Sequence, residues 1–358
     1  MNEILEYMGK NDYEQVVFCC DARVGLKAII AIHDTTLGPA LGGVRMRPYK
    51  SEEEALCDVL RLGRAMTFKA AAAGLNLGGG KAVILGDPAK DKTDGLFRAL
   101  GCFIESLGGR YITTEDVGTT ERDMENIRME TAYVTGLPLS RGSSGDPSPA
   151  TAHGIYHGMR ACLKDVFGSD SMKGRTVAIQ GVGKVGYYLA RHLYDAEVNL
   201  IVADVNSEAA HRAKKDFGAS VVAADEIYGV ECDIFAPCAL GASLNRRTIP
   251  RLKCRIVAGA ANNQLEEDTD GDLLQQRGIL YAPDYIINAG GVINLSLEIN
   301  SRYDSELAMA RLAEVYHTME KVIARAKSER IPTARVADKI AMERIEEAKR
   351  AKKIYLRR

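Results

Sequence analysis

The stretch TVAIQGVGKVGYYLARHLYDAEVNLIVAD, residues 176–204, decides the fold of this chain. An apolar strand leads into a glycine-rich turn, the turn opens a helix, and a second apolar strand ends on an acid. In the pattern G-x-G-x-x-G the glycines let the backbone turn tightly, approach a pyrophosphate and pack helix on strand, while the helix N-terminus attracts the anion. The glycines alone are weak evidence, since they also form turns of purely structural use, but the strand, helix and acid accompany them here. The sequence therefore predicts a dinucleotide-binding loop formed by Gly181, Gly183, Lys184, Val185 and Gly186.

The acid that ends the second strand predicts which dinucleotide is bound. Asp204 follows Gly183 by 21 positions. A carboxylate there accepts hydrogen bonds from the adenosine ribose hydroxyls and repels a 2′-phosphate. The next residues, Val205 to Ser207, supply no cation to offset that repulsion. We therefore expect NAD rather than NADP; the alternative is that Asp204 is only a turn residue at a strand end.

Short apolar segments within this stretch are followed by others of the same kind. RTVAIQ, NLIVAD, SVVA, CDIFAP, RIVAG and ILYAP have the length of strands, and most are separated by helical segments. Such alternation is typical of a parallel sheet covered on both faces. We predict a Rossmann-type, doubly wound domain over residues 136–331.

The first third of the chain alternates strands and helices in the same way. GLKAIIAI (25–32), KAVILG (81–86) and RYITT (110–114) have strand character, and helices are predicted from Ser51 to about Ala73 and from 93 to 107. Ser51 with Glu54 forms a capping-box pattern at the start of the first helix. The sequence thus predicts a second α/β domain over residues 1–135.

Composition excludes several classes of protein. Lys and Arg number 47 against 48 Asp and Glu among 358 residues, so no positive charge is in excess to bind nucleic acid or an anionic membrane surface. The first fifteen residues contain no continuous apolar segment, no stretch is apolar enough to span a membrane, and the eight cysteines show no CxxC spacing. We expect a cytoplasmic protein with reduced thiols and neither nucleic-acid nor membrane partners.

Two lysines are candidates for chemistry. Lys69 follows Met66 by three positions on the apolar face of its helix, and Lys81 follows three consecutive glycines, Gly78 to Gly80, which would let the backbone approach a ligand closely. Two ammonium groups in a partly dry site lower each other's pKa, so that one can act as a base near neutral pH. Taken singly, each could equally be a surface lysine. His153 and His157 lack the intervening acid of a zinc motif, so no metal is predicted.

Long blocks of the chain carry a resemblance to a known family. The sequence resembles the amino acid dehydrogenase superfamily of glutamate, leucine, phenylalanine and valine dehydrogenases, most closely its leucine branch. The resemblance implies that the N-terminal domain binds substrate, forms the subunit contacts and includes residues 332–358. It also implies a cleft between the two domains and assembly into a homo-oligomer, an octamer. The blocks are AIIAIHDTTLGPALGGVRM (28–46), AAGLNLGGGKAVILGDP (72–88), GRYITTEDVGTT (109–120), CDIFAPCALG (232–241), AGAANNQL (258–265) and YAPDYIINAGGVIN (281–294).

The resemblance also implies roles for individual residues. Lys69 would bind the substrate carboxylate, Lys81 would activate the water that attacks the imino acid, and Asp116 would exchange a proton with the substrate amine. Asn262 would lie beside the substrate and the nicotinamide ribose, and Asn288 would face the nicotinamide. Taken alone, Asp116 could be a helix cap or a solvated charge, and the two asparagines could be turn formers.

The substrate implied is a branched-chain aliphatic L-amino acid, oxidised reversibly to its 2-oxo acid and ammonium. Glutamate dehydrogenases of this superfamily carry a lysine where this chain has Leu41, and without that cation a buried side-chain carboxylate is unfavourable. Thr114 occupies the place of a smaller residue in the family members, and Leu295 occupies the place of a valine. Both changes narrow the side-chain pocket, which disfavours aromatic rings. In an alternative orientation, the Thr114 hydroxyl forms a hydrogen bond with neighbouring backbone. The implied pocket is Leu41, Gly42, Gly43, Met66, Thr114, Val292 and Leu295, with Asn262.

Two alternatives remain open at this point. The cofactor loop GVGKVG is more like that of the phenylalanine enzymes, so a phenylalanine or other aromatic dehydrogenase is the first alternative. A non-catalytic NAD-binding sensor is the second. Such a protein would keep the glycines but could lose the lysines and the acid, and this chain retains Lys69, Lys81 and Asp116 together.

Overall fold

The computed structural model describes residues 4–299 and 303–351 and divides the chain into two compact units. Unit 1 comprises Met1–Asp146, Leu295–Asp304 and Ala341–Arg358, and unit 2 comprises Pro147–Asn294 and Ser305–Ile340. Each unit contains one β-sheet with helices, so the predicted two-domain α/β class is confirmed. No helix among the described residues is long and apolar enough to cross a bilayer.

Unit 1 is built on a five-stranded mixed sheet in the order β1-β2-β4-β3-β5. β2 is antiparallel to β1 and to β4, whereas β3 runs parallel to both of its neighbours, β4 and β5. Strands β1 and β3 were not predicted, and β4 begins at Gly78 rather than at Lys81 because the glycines pair with β2 and β3. The strands are β1 Gln15–Asp21, β2 Leu26–Asp34, β3 Ala40–Arg47, β4 Gly78–Leu85 and β5 Tyr111–Glu115.

Helices cover the two faces of this sheet differently. Side chains alternate between faces along a strand. Ile29, Ala31 and Val83 pack with residues of the long helix α2 on one face, and Ile30 and Ala82 pack with residues of α3 and α4 on the other. Ser51 caps α2 by accepting from the Glu54 amide, as predicted, whereas the Glu54 carboxylate accepts from the Lys50 amide in place of the reciprocal bond of a capping box. The helices are α1 Ile4–Lys10, α2 Glu52–Ala72, α3 Asp94–Ser106 and α4 Glu121–Arg128.

Unit 2 contains a six-stranded, fully parallel sheet in the order β11-β10-β9-β6-β7-β8. Numbered from its own first strand and read from the far edge, this is the doubly wound order 3-2-1-4-5-6, so the predicted Rossmann-type domain is confirmed. The order reverses between β6 and β9, and the glycine loop follows β6. The strands are β6 Thr176–Gln180, β7 Asn199–Ala203, β8 Ser220–Val221, β9 Ile234–Pro237, β10 Ile256–Val257 and β11 Leu280–Tyr281.

Of the remaining helices, α5 precedes the strands of unit 2, α6 to α8 lie among them, and α9 to α13 follow the last strand. α12 ends at Glu329, Pro332 separates it from α13, and Thr333 begins α13. The helices are α5 Ser148–Phe167, α6 Lys184–Asp195, α7 Ser207–Phe217, α8 Thr269–Gln276, α9 Asp284–Ile287, α10 Gly290–Ser296, α11 Ser305–Ala313, α12 Val315–Glu329 and α13 Thr333–Ala351.

The division into units differs from the predicted limits, which were residues 1–135 with 332–358 and residues 136–331. The segment Leu295–Asp304 belongs to unit 1 because Glu298 accepts hydrogen bonds from the backbone of Gly136 and Ser144. The start of α13 belongs to unit 2, where Thr333 Oγ1 donates to the Tyr281 carbonyl at 2.5 Å. The predicted end points, residues 1 and 358, lie outside the described residues.

Candidate active site

Three neighbouring strands of unit 1 bring charged side chains to one face of the sheet. Lys81 pairs with Ala31, whose side chain packs in the α2 cluster, and Arg45 lies on β3 two positions after Gly43. Asp116 follows the last residue of β5 directly. The Lys81 Nζ atom is 3.0 Å and the Arg45 Nε atom 2.8 Å from the same Asp116 oxygen, Oδ2. Two predicted catalytic residues, Lys81 and Asp116, are therefore in direct contact.

Lys81 is a buried lysine, with 5% of its surface exposed. Burial is the largest influence and lowers the pKa of its ammonium group; Asp116 opposes this effect and Arg45 adds to it. The sequence analysis attributed this lowering to the second lysine, Lys69. In the structure the first cause is burial, because a charged ammonium loses its hydration inside the protein.

Asp116 is held ionised by its two cationic neighbours. Burial acts to raise its pKa, but Lys81 and Arg45 outweigh burial and lower the pKa to about 2. The Asp116 amide also donates to Thr119 Oγ1 at 2.9 Å, which fixes the turn after β5. The carboxylate is thus a fixed hydrogen-bond acceptor that orients the Lys81 ammonium.

Arg45 is one member of this cluster that was not predicted from the sequence. Besides Asp116, its guanidinium contacts Asp58 Oδ2 on α2 at 3.2 Å, and Tyr49 donates to the same oxygen at 2.8 Å. The cluster is therefore a chain of contacts from Lys81 through Asp116 and Arg45 to Asp58. The signal was present in the block ALGGVRM: in a strand, the residue two positions after Gly43 shares its face.

The glycines before Lys81 have a packing role that the sequence analysis did not assign. A Cβ atom at Gly79 would lie 2.0 Å from the Thr67 backbone nitrogen on α2, and one at Gly78 would lie 2.0 Å from the Asp34 carbonyl oxygen. Neither neighbour is a flexible side-chain end, so no side chain fits. The sequence predicted that these glycines let a ligand approach the backbone, whereas in the structure they let α2 and β2 approach β4 closely.

Lys69 and Met66 lie in the last turns of α2 and are half-buried. Arg344 on α13 binds the chain at the end of this helix. Its guanidinium donates to the carbonyls of Ala71 at 3.1 Å, Gly74 at 3.0 Å and Leu75 at 2.6 Å, and to Asn76 Oδ1 at 2.9 Å. The C-terminal helix therefore fixes the segment that connects Lys69 to β4.

The predicted pocket residues fall into both units. Leu41, Gly42, Gly43, Met66, Thr114 and Leu295 belong to unit 1, and Val292 to unit 2. Thr114 and Leu295 are close to one point in space: a Cβ atom at Gly136 would lie 2.7 Å from Thr114 Oγ1 and 3.5 Å from Leu295 Cδ2. Gly43 pairs with Thr114 across the sheet, and its own Cβ would lie 2.8 Å from that of Asp116. Thr114, Leu295 and Gly43 thus adjoin the charged cluster.

The three glycines of the loop in unit 2 differ in how much space surrounds them. A Cβ at Gly181 would lie 2.8 Å from the Ala239 nitrogen, and one at Gly186 would lie 2.1 Å from the Gly181 carbonyl oxygen. A Cβ at Gly183 would meet no heavy atom within 4 Å among the described residues. Gly183 is also the N-cap of α6, followed by the exposed Lys184 and the half-buried Val185. The loop therefore leaves free space at the N-terminus of α6, where a phosphate group would bind.

Asp204 is tied to this loop by backbone hydrogen bonds. Its Oδ2 accepts from the Val182 amide and its Oδ1 from the Asn206 amide, both at 2.8 Å. Each carboxylate oxygen has further lone pairs, so these bonds fix its orientation and leave acceptor capacity for ribose hydroxyls.

Asn288 and Asn262 lie side by side in unit 2. The Asn288 Nδ2 donates to Asn262 Oδ1 at 2.8 Å and to the Ala260 carbonyl at 3.0 Å. Asn288 is buried, and its Oδ1 has no hydrogen-bond partner in the described ranges. A buried acceptor without a partner fits a ligand that brings a donor, such as the carboxamide of a nicotinamide. Together with the open position at Gly183, it supports a dinucleotide site in unit 2.

Comparisons with known proteins identify relatives over nearly the whole chain. Residues 14–133 match the family model described as Glu/Leu/Phe/Val dehydrogenase, dimerisation domain, and residues 142–353 match Glutamate/Leucine/Phenylalanine/Valine dehydrogenase. Leucine dehydrogenase from Geobacillus stearothermophilus is 59% identical over 354 residues, 99% of this chain and 96% of that enzyme. Phenylalanine dehydrogenase from Lysinibacillus sphaericus is 48% identical over 340 residues, 94% and 89% of the two chains. The crystal structure of L-tryptophan dehydrogenase from Nostoc punctiforme matches with a TM-score of 0.83 and 45% identity, covering 97% of this chain and 99% of that one.

Proposed function

Because the chain belongs to the glutamate/leucine/phenylalanine/valine dehydrogenase family, we propose that it catalyses the reversible, NAD-dependent oxidative deamination of branched-chain aliphatic L-amino acids. The products are the 2-oxo acid and ammonium. Higher identity to the leucine enzyme, 59%, than to the phenylalanine enzyme, 48%, favours the aliphatic over the aromatic substrate.

The observation that carries the catalytic part of this proposal is the contact between Lys81 and Asp116. A buried lysine whose pKa is lowered, 3.0 Å from a carboxylate, is suited to take part in proton transfer. A protein that only senses a dinucleotide has no need of such a pair in its other unit. The pair therefore favours an enzyme over a non-catalytic sensor.

In the proposed reaction, the residues of unit 1 bind the substrate and move protons. The Lys69 ammonium binds the α-carboxylate, and Asp116 accepts a proton from the substrate amine. After the Cα–H bond has broken, Lys81 takes a proton from the water that adds to the imine carbon. The resulting carbinolamine loses ammonia and becomes the 2-oxo acid.

Membership of this oxidoreductase family is consistent with a nicotinamide cofactor, and we propose that it is NAD. When bound, NAD would supply the acceptor for the hydride that leaves the substrate Cα. The residues that would hold the cofactor are Gly181, Gly183, Lys184, Val185 and Gly186 at the pyrophosphate, Asp204 at the ribose, and Asn262 and Asn288 at the nicotinamide end. The Asp204 carboxylate favours NAD because it would repel the 2′-phosphate of NADP.

A spectrophotometric panel tests the proposal. Formation of NADH is measured with L-leucine, L-isoleucine, L-valine, L-phenylalanine and L-tryptophan, the reverse reaction with the 2-oxo acids plus ammonium, and leucine is repeated with NADP. We expect kcat/KM for the aliphatic substrates to exceed that for the aromatic ones by about 5- to 150-fold, since a ring forced into a packed site costs roughly 1–3 kcal/mol. Faster turnover of phenylalanine would assign the aromatic alternative, and a preference for NADP would contradict the role of Asp204.

A further inference from the structure

Thr114 carries a buried hydroxyl group that the proposed reaction does not use. The residue is 6% exposed, and its Oγ1 has no hydrogen-bond partner within the part of the chain that the structure describes. The hydroxyl therefore does not bond to neighbouring backbone, which was the alternative orientation considered from the sequence. A buried hydroxyl without a partner has lost its bond to water without a replacement, so it favours any ligand that supplies one.

The position of Thr114 places this hydroxyl beside the reacting groups. Thr114 precedes Asp116 by two positions, so its side chain lies on the same face of the sheet. At a rise of about 3.3 Å per strand residue, the two Cα atoms are about 7 Å apart. An amino acid whose amine is at Asp116 can therefore place the end of a short side chain beside Thr114.

The Thr114 hydroxyl is bordered on one side by the backbone of Gly136 and by an aliphatic side chain. Thr114 Oγ1 faces Gly136, which has no side chain, and Leu295 Cδ2 borders the same point. Gly136 has a φ of +71°, a conformation that other residues rarely adopt, and its amide is bonded to Glu298 at 3.0 Å. The wall next to the Thr114 hydroxyl therefore includes the Gly136 backbone and the aliphatic side chain of Leu295.

We propose that Thr114 is a hydrogen-bonding position for the substrate side chain, and that the enzyme therefore also oxidises short L-amino acids that carry a side-chain hydroxyl. The inference rests on the proposed function, since it concerns the same substrate site. A branched aliphatic side chain leaves the Thr114 hydroxyl without a partner, whereas a hydroxylated side chain can donate to it or accept from it.

Pairs of substrates with equal shape isolate this hydrogen bond. L-homoserine and L-norvaline differ by a terminal hydroxyl against a methyl group, and L-threonine and L-valine differ in the same way one atom nearer to Cα. The kcat/KM ratio of the hydroxylated to the aliphatic member is measured for both pairs. The variants are Thr114→Val, which removes the hydroxyl at nearly constant volume, Thr114→Ser, which keeps it, and Thr113→Val as the control. Thr113 Oγ1 lies 3.4 Å from the Tyr111 hydroxyl, and this neighbour of Thr114 occupies the opposite face of the sheet.

We expect the ratio for at least one pair to fall by about 3- to 10-fold in Thr114→Val, the range for one neutral hydrogen bond, and to change little in Thr114→Ser and Thr113→Val. If Thr114→Val does not fold, Thr114→Ala is used for the same ratio. Unchanged ratios for both pairs would overturn the inference, and so would the absence of any oxidation of homoserine and threonine by the unmodified enzyme. Absence of leucine oxidation by the unmodified enzyme would instead contradict the proposed function.

Discussion

Lys81 is the single side chain on which the proposed proton transfers depend most. Replacing it with alanine removes the buried amine while Asp116 and Arg45 remain in contact. Because general acid–base catalysis contributes about 10²- to 10⁴-fold, we expect kcat for leucine to fall by that factor, with NAD binding in unit 2 retained. Steady-state kinetics and a titration of NAD binding measure the two effects.

The matched control for this variant is Lys92→Ala. Lys92 is a half-buried lysine of the same unit and lies outside the cluster. Its Nζ atom is 2.5 Å from Asp123 Oδ2. It should change kcat little. A Lys81→Ala enzyme with near-normal kcat would remove Lys81 from the mechanism.

Arg45 controls the charge of Asp116, so its replacement should shift the pH dependence of the enzyme. Arg45 and Lys81 hold the pKa of Asp116 at about 2, below the value of about 3.9 in an unfolded chain. In Arg45→Met one of the two cations is lost and the Asp116 pKa rises. The acid limb of the kcat/KM profile should therefore move to higher pH.

The same shift predicts a change in acid stability. A carboxyl group whose pKa is lowered by folding stabilises the native state above its unfolded pKa, and this contribution is lost as the pH falls through its folded pKa. The contribution of Asp116 to native-state stability is lost between about pH 4 and pH 2. In Arg45→Met this pH range is narrower because the Asp116 pKa of the folded protein is closer to that of the unfolded chain. Melting temperatures measured from pH 7 down to pH 3 check this. Identical pH profiles for the variant and the unmodified enzyme would show that Arg45 does not influence the carboxylate.

At this scale the sequence indicated the candidate residues Lys81 and Asp116 but not their contact. Lys81 and Asp116 were identified, yet nothing in their spacing of 35 positions places them 3.0 Å apart. Their contact follows from β3 lying between β4 and β5, and a single sequence contains no direct information on strand order. Arg45 was missed for the same reason, since its role arises only once β3 is placed there.

Among the elements, the segment Leu295–Asp304 is bonded to the rest of unit 1 through Glu298. Glu298 accepts from the amides of Gly136 and Ser144 at 3.0 and 3.1 Å, and from the hydroxyls of Ser143 and Ser144. Bonds to a carboxylate are worth roughly 1.5–3 kcal/mol each, with incomplete additivity. This one residue therefore fixes both the loop after Gly136 and the position of Leu295.

Replacing Glu298 with alanine should loosen both parts. We expect the melting temperature to fall by about 4–12 °C, from a loss of roughly 2–3 kcal/mol, and KM for leucine to rise because Leu295 borders the pocket. Differential scanning calorimetry and initial rates measure these effects, and Glu347→Ala, an exposed acid on α13, is the control. A normal KM together with a lowered melting temperature would separate Glu298 from the substrate site.

The elements that the sequence predicted and those it missed differ in what stabilises them. Strand β2 and helix α2 have continuous apolar patterning and a capping residue, so their own sequence indicates their structure. Strand β3, ALGGVRMR, contains two glycines and two arginines and has weak strand propensity. It is a strand because it pairs with β4 on one side and β5 on the other. Pairing partners, not local propensity, decided the strand that carries Arg45.

At the scale of the whole molecule, the residues proposed to bind the amino acid and those proposed to bind the cofactor belong mainly to different units. The groups assigned to the amino acid are mainly in unit 1, whereas the glycine loop, Asp204, Asn262 and Asn288 are in unit 2. Unit 1 is not a continuous piece of chain: it is completed by Leu295–Asp304 and by the residues after Ile340, including Arg344. The resemblance implied the return of the C-terminus, but the return at Leu295 depends on the contacts of Glu298. A truncated N-terminal fragment would therefore lack parts of its own unit.

The last prediction concerns assembly, and we infer that β1 takes part in it. β1 is one of the two edge strands of the unit 1 sheet, and its Phe18 is a large apolar side chain that is 59% exposed. Exposed apolar edges favour pairing with another chain, and residues 14–133 match a domain described as a dimerisation domain.

We expect light scattering to give a mass well above the 38.9 kDa of one chain, and propose an octamer. Phe18→Asp should lower that mass by placing a charge in the contact, whereas Val221→Asp, on the edge strand β8 of the other sheet, should not. A mass near 38.9 kDa for the unmodified protein would refute assembly itself, and an unchanged mass in Phe18→Asp would exclude the β1 edge as its contact.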